Sequence, residues 1–283
     1  MREYPVFVPF EGEHIAVVLT LPDEDPIALV ALLTGGSAAR SHLYGVWTRA
    51  ARRLADERGL ASIRFDYIGT GDSTGILPEW RLSNMPVEQV LAAIRFGMAA
   101  AGVDRMALTG FCMGGRVALA VAVDALDCAG AILVRVPVLE PSGVSDALRR
   151  ARESGPASFF ERRLKQGNLV RRLLRSLVRR KRKASPWVRR GLATALDHGR
   201  LLLLYDEEDF TFGEHVKKEL ERMIGALSPA QRSNYELTVL PGRGMQALQS
   251  REIQQELIDI VVTWMGGLFA PTPARGTSAP VRG

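Results

Sequence analysis

Short apolar segments alternate with segments of helical periodicity along most of the chain. Runs of apolar or alternating residues predict strands at 4–10, 14–21, 27–33, 61–67, 105–111, 129–134, 201–205 and 235–240. Apolar residues at spacings of three and four predict helices at 44–58, 87–101, 113–125, 213–224 and 251–265. Strands that alternate with helices predict an α/β fold with a mostly parallel sheet and helices on both faces. The first two strands flank a polar turn and predict an antiparallel hairpin.

The alternation stops between residues 141 and 199, where the chain becomes strongly basic. Residues 149–200 hold 17 Lys and Arg against 3 Asp and Glu, a balance of +14, whereas the rest of the chain holds 20 against 28, a balance of −8. The net charge of +6 therefore comes from one segment. The sequence predicts a core over 1–140 and 200–269, an inserted basic helical segment over 141–199, and a disordered tail over 270–283.

The composition favours one large domain in a reducing compartment. A length of 283 residues with 47% hydrophobic residues is enough for a sizeable core. Two cysteines argue against a disulfide framework, and no apolar signal segment follows the first five residues. The sequence has no stretch of about 18 apolar residues, so we expect no membrane span. We expect a cytoplasmic protein.

The sharpest junction in the chain is at Cys112, the one residue between the strand at 105–111 and the helix at 113–125. So tight a turn strains its central residue and needs small neighbours where strand and helix approach. Gly110 and Gly114 lie two residues before and two residues after Cys112. This is the spacing of the G-x-S-x-G nucleophile elbow, with a thiol in place of the usual hydroxyl.

On this motif the chain resembles the α/β-hydrolases over nearly its whole length. The segments 39–44 (ARSHLY), 64–75 (RFDYIGTGDSTG) and 159–174 resemble the exosortase-associated and serine aminopeptidase-like hydrolases. The resemblance implies an α/β-hydrolase fold in which residues 141–199 form an inserted helical cap. It also implies acyl hydrolase or acyltransferase chemistry on a small-molecule acyl substrate.

The resemblance assigns an oxyanion hole and an acid to particular residues. The N–H groups of Met113, after the nucleophile, and Gly36, in the loop after the third strand, would bind the oxyanion. The alternative for Gly36 is a glycine that only turns the chain. The acid is expected at Asp209, with Asp206 or Glu140 as alternatives, or else these carboxylates are solvated turn residues.

The base is the position at which the chain departs from the family. A histidine is expected after the last strand, and this chain has Met245 there, in LPGRGMQA. A thioether takes up no proton at working pH, so Met245 is not a general base. His42 lies in the loop after the third strand, which borders the active site in this fold. His42 is therefore either a catalytic or substrate-binding residue, or a structural loop histidine.

A cysteine suits a site without that base better than a serine does. A thiol has an ordinary pKa near 8.5, and the start of a helix favours the thiolate, so we expect a lowered pKa at Cys112. The thiolate would capture an acyl group from a thioester, whose leaving thiolate needs no proton. The alternative is a chain that has lost this chemistry and binds a ligand or catalyses a non-hydrolytic isomerisation or cyclisation. Cys128 is expected in the core.

The basic segment predicts an anionic partner. Arginines and lysines at 171–183 suit the phosphates of CoA or an acidic acyl carrier protein, which agrees with a thioester donor. A solvated basic face is the alternative. Without a nucleic-acid-binding motif we expect no nucleic acid partner, and without a metal-ligand cluster or dinucleotide fingerprint we expect no metal and no cofactor.

Overall fold

A computed structural model describes residues 1–35, 38–77, 85–125, 128–139, 185–207, 209, 212–242, 244–245 and 247–270. Several sequence predictions lie outside these residues: the Gly36 oxyanion donor, residues 141–184 of the predicted cap with the segments 159–174 and 171–183, and all of the predicted tail 270–283 except residue 270. Glu140, an alternative acid, also lies outside them.

The described residues form an eight-stranded, mostly parallel sheet. Its strands are β1 (Arg2–Phe10), β2 (Glu13–Leu21), β3 (Leu29–Leu33), β4 (Ala61–Phe65), β5 (Met106–Phe111), β6 (Cys128–Val134), β7 (Arg200–Asp206) and β8 (Tyr235–Leu240). The spatial order is β1-β2-β4-β3-β5-β6-β7-β8. The first hairpin is antiparallel, β2 also runs antiparallel to β4, and all later pairs are parallel. The predicted fold class is confirmed.

Helices cover both faces of the sheet. They are α1 (Val46–Arg58), α2 (Val87–Ala101), α3 (Met113–Asp124), α4 (Pro186–His198), α5 (Glu214–Gly225), α6 (Pro229–Ser233) and α7 (Arg251–Phe269). Buried residues of α1 and α7 form one apolar cluster with the sheet, and buried residues of α2 to α5 form the other. None of the described helices is both long and apolar enough to cross a membrane.

Strand β3 shows how the sequence pattern produces this arrangement. All five of its residues are buried, because alternate side chains point to opposite faces of a sheet that is covered on both sides. Leu29, Ala31 and Leu33 belong to the cluster with α2 and α3, whereas Val30 and Leu32 belong to the cluster with α1 and α7. The continuous apolar run therefore predicted a central strand correctly.

Helix α4 differs from the prediction, which placed residues 186–198 in the inserted cap. Its apolar residues Val188, Leu192 and Leu196 are buried in the same cluster as Leu119 of α3. Helix α4 approaches α3 at Gly191, where a Cβ atom would lie 3.2 Å from the Leu119 Cγ. Helix α4 therefore packs with the core, and residues 141–184 of the predicted cap lie outside the described residues. The periodicity of a helix does not reveal what the helix packs against.

Candidate active site

Cys112 occupies a strained turn at the carboxyl end of β5. Its backbone has φ 54° and ψ −113°, a conformation that residues other than glycine rarely adopt. Phe111 ends the strand before it and Met113 begins α3 directly after it. The N–H of Cys112 donates to the Val134 carbonyl of β6 at 2.8 Å, which fixes the turn against the neighbouring strand.

The glycines of the elbow allow the close approach that this turn requires. A Cβ atom on Gly110 would overlap the Gly114 carbonyl, and one on Gly114 would overlap the carbonyl of Thr34 after β3. A Cβ atom on Gly35 would lie 2.5 Å from the Phe111 carbonyl oxygen and 3.1 Å from the Cys112 Cβ. The loop after β3 therefore lies directly against the elbow.

The thiol of Cys112 is partly exposed, and its surroundings act on its pKa in opposite directions. Burial raises the pKa above the ordinary value and is the largest effect, whereas a hydrogen bond from the Met113 N–H and the charges of Arg135 and Arg116 lower it. The net direction is upward, so the expectation of a lowered pKa is wrong. The helix start contributes as expected, but it does not outweigh the loss of solvent around the sulfur.

Asp209, the predicted acid, forms a buried ion pair with Arg135. The Arg135 Nε and Nη2 atoms donate to the two carboxylate oxygens at 2.6 and 2.8 Å. The side chain of Arg135 is 4% exposed and that of Asp209 is 0% exposed. The carboxylate that would orient a catalytic histidine in this fold family is therefore bound in a bidentate manner to a guanidinium group.

Arg135 was not predicted as a site residue, and its position follows from strand register. Phe111 of β5 is paired with Val134 of β6, so Cys112 and Arg135 are the next residues after a paired position on adjacent parallel strands. The Arg135 guanidinium carbon lies 5.9 Å from the centre of the Phe111 ring. Arg135 also has a left-handed backbone, with φ 51°, and its N–H donates to the Leu204 carbonyl of β7 at 2.8 Å.

Met245 lies in an apolar environment after β8. It is 0% exposed and belongs to the cluster that contains Phe111, Leu240 and Leu248. Its N–H donates to the Asp206 Oδ2 at 3.0 Å, so this alternative acid binds the backbone of the loop that follows β8. The side chain at the usual base position is thus a core residue.

His42 is 8% exposed and packs beside the elbow. Its ring centre lies 4.6 Å from that of Phe111 and 5.4 Å from that of Trp47. Burial lowers the pKa of His42 to about 4, so the imidazole is neutral at neutral pH. Neither ring nitrogen has a hydrogen-bond partner within the part of the chain that the structure describes. His42 therefore lies against the elbow, and no acid among the described residues is paired with it.

The segment 64–75 anchors the loop that carries His42. The buried Asp66 carboxylate accepts the backbone N–H of Arg40 at 2.6 Å and that of Asp72 at 3.0 Å, and it also contacts the Arg40 guanidinium. A Cβ atom on Gly71 would overlap this carboxylate. The motif therefore holds the loop after β3 in place two residues before His42.

Cys128, His14 and His198 lie in elements other than the elbow. Cys128 is buried in β6, as expected, and burial raises the pKa of its thiol to about 12. His14 lies in β2 beside Phe7, and His198 is the last residue of α4. The described residues contain no cluster of three His, Cys, Asp or Glu side chains that would hold a metal ion.

Comparisons with known proteins match this architecture. A family model described as alpha/beta hydrolase fold matches residues 29–221. Among solved structures, a proline iminopeptidase from Mycobacterium smegmatis is 18% identical, with a TM-score of 0.57, over 95% of this chain and 100% of that one. An esterase from Pyrococcus furiosus is 16% identical, with a TM-score of 0.60, over 93% of each chain.

A third solved structure, the thioesterase domain from the curacin biosynthetic pathway, is 16% identical, with a TM-score of 0.58, over 93% of this chain and 100% of that one. A search of curated protein sequences finds no match. At these identities the similarity shows a shared fold, and the activities in the names of these structures are stated of those proteins alone.

Proposed function

Because the chain belongs to the α/β-hydrolase family, we propose that it is an acyltransferase-type enzyme whose Cys112 thiol accepts an acyl group from a thioester. The observation that carries this proposal is the backbone of Cys112, with φ 54° at the strand-to-helix turn. A cysteine with only a packing role gains nothing from such a conformation, whereas a nucleophile gains an exposed position beside backbone N–H donors.

The chemistry balances without a base in the enzyme. The Cys112 sulfur forms a bond to the acyl carbon, the carbon–sulfur bond of the donor breaks, and the proton of the Cys112 thiol passes to the leaving thiolate. The leaving group and the nucleophile are both thiols, so the exchange has little net driving force in either direction. Hydrolysis is disfavoured, because an attacking water needs a proton acceptor and Met245 supplies none.

The oxyanion formed in this exchange needs donors beside the sulfur. The Met113 N–H directly follows the sulfur-bearing residue and acts to lower the pKa of its thiol, and it would serve as the first donor. Gly35 lies against the elbow, and its neighbour Gly36 would supply the second N–H. In this proposal Asp209 and His42 are not a proton relay, since Asp209 is bound to Arg135 and His42 has no acidic partner among the described residues.

The donor that fits this chemistry is an acyl thioester with an anionic carrier. The basic segment at 171–183 would contact the phosphates of CoA or an acidic acyl carrier protein. Raising the salt concentration should then weaken the binding of donor, because exposed charges are screened. A reducing cytoplasm would keep the single elbow thiol available.

A second candidate function is ligand binding, or a non-hydrolytic reaction, without a covalent intermediate. It is favoured by the upward shift in the pKa of Cys112 and by the ion pair that occupies Asp209. Both features weaken a nucleophilic role for the thiol at the elbow. The two candidates differ in whether Cys112 becomes acylated.

Intact-mass measurement separates them. The wild-type chain and Cys112→Ala are incubated with a panel of acyl-CoA thioesters and aryl esters. We expect an added acyl mass on the wild type with at least one thioester, located on the peptide that contains Cys112, and no added mass on Cys112→Ala. The absence of an adduct with every donor would overturn acyl transfer and favour the binding function.

A further inference from the structure

We infer that Arg135 is a positioning residue for the Cys112 thiol, a fixed cation beside the elbow, with Asp209 holding its guanidinium in place. The inference rests on the proposed function, because it takes Cys112 to be the nucleophile. The ion pair would support that nucleophile in place of a catalytic histidine. A titrating base is replaced by a charge that stays constant over the working pH range.

The sheet register brings the three groups together. Cys112 and Arg135 each follow a paired residue at the carboxyl ends of β5 and β6. Val134 of β6 is in turn paired with Leu204 of β7, the strand that precedes Asp209. Arg135 therefore lies between the elbow and the acid, at neighbouring strand ends, although 74 positions separate it from Asp209 in the chain.

The form of the contact indicates a held charge. Two parallel hydrogen bonds at 2.6 and 2.8 Å fix the plane of the guanidinium. Burial of both side chains costs desolvation free energy. The left-handed backbone of Arg135 adds a separate cost in conformational strain. An apolar pair of similar volume would avoid the desolvation cost, so packing alone does not account for an ion pair at this place.

The charges around Cys112 predict effects of opposite sign for the two partners. The positive charges of Arg135 and of Arg116, which lies on α3, favour the thiolate form of Cys112, whereas the negative charge of Asp209 disfavours it. His42, on the loop after β3, is neutral. Removing the Arg135 charge should therefore make the thiol harder to ionise, and removing the Asp209 charge should make it easier. A purely structural role would loosen the site in the same way for both substitutions.

The test is the rate of Cys112 alkylation by iodoacetamide from pH 6 to pH 10, read on the Cys112 peptide by mass spectrometry. The variants are Arg135→Gln, Asp209→Asn and Arg135→Lys, each in the full chain and each checked for a cooperative thermal transition. The matched controls are Arg53→Gln and Asp259→Asn, which remove the partners of an ion pair on the exposed surfaces of α1 and α7.

We expect Arg135→Gln to slow alkylation at least about threefold near neutral pH, and Asp209→Asn to speed it by a similar factor. Arg135→Lys should keep a rate close to that of the wild type, and the control variants should leave the profile unchanged. Shifts in the same direction for Arg135→Gln and Asp209→Asn, or no shift in either, would overturn the inference. Alkylation needs no acyl donor, so this outcome is independent of the intact-mass result on the proposed function.

Discussion

Cys112 combines a reactive side chain with a backbone conformation that favours glycine. Strain of this kind costs on the order of 1–3 kcal/mol, and a glycine relieves it while losing about 1 kcal/mol through the greater freedom of the unfolded chain. Cys112→Gly should therefore be more stable than Cys112→Ala by about 1 kcal/mol. Both variants lack the thiol, so urea unfolding of this pair isolates the backbone. An alanine variant as stable as the glycine variant would show that the turn is not strained.

His42 makes the stability of the fold depend on pH. Its folded pKa of about 4 lies below the ordinary 6.5, so between these values the unfolded chain binds more protons. Its contribution to stability is complete above pH 6.5 and is lost as the pH falls toward 4. The shift corresponds to a loss of about 2 kcal/mol at pH 5.

His42→Asn removes this dependence, because asparagine does not titrate and tolerates a positive φ. Urea unfolding at pH 7 and pH 5 should show a drop in the free energy of unfolding for the wild type that is about 2 kcal/mol larger than the drop for His42→Asn. His14→Asn, at an exposed histidine, should behave as the wild type does. An equal drop in all three proteins would contradict the burial of a neutral imidazole at position 42.

At the scale of single residues, the sequence reveals what is local and hides what is paired across the sheet. Cys112 and its flanking glycines occupy five consecutive positions, so their spacing alone indicates the elbow. Met245 was predicted to stand at the base position from its place after the last strand, and this assignment stays a prediction. Arg135 was missed because its role depends on the register of β5 against β6, and the direction of the thiol pKa was missed because it depends on burial.

At the scale of elements, the strand and helix pattern predicted the sheet and most helices to within a few residues. A strand buried on both faces is apolar throughout, which makes β3 easy to find. Helix α4 has the periodicity of an amphipathic helix, but a helix of the core and a helix of a cap both show one apolar face. Only the contact of α4 with α3 decides between them.

The assignment of α4 to the core predicts a clear difference between its two faces. Leu192 is buried among core residues, so Leu192→Ala should lower the free energy of unfolding by about 3 kcal/mol in a single cooperative transition. Arg189 is exposed on the same helix, and Arg189→Ala should change stability by less than about 0.5 kcal/mol. Equal, small effects in urea unfolding would place the helix outside the core.

At the scale of the whole molecule, the fold provides the elbow, the neighbouring loop after β3 and the ends of β6 to β8 at one edge of the sheet. Cys112, the proposed nucleophile, lies in a strained turn, whereas Met245, at the proposed base position, lies in the apolar core and Asp209, the proposed acid, is bound to a guanidinium. Such a site supports capture of an acyl group better than its release to water. If the proposed function is right, we expect an enzyme that loads quickly and hydrolyses slowly.

The measurement that tests this most directly is rapid-quench quantification of CoA released from the acyl-CoA that loads the protein. We expect a burst of about one CoA per chain, followed by slow release that quickens when hydroxylamine is added to accept the acyl group, and no burst from Cys112→Ala. Steady release without a burst, or release that persists in Cys112→Ala, would contradict a thiol-bound acyl intermediate.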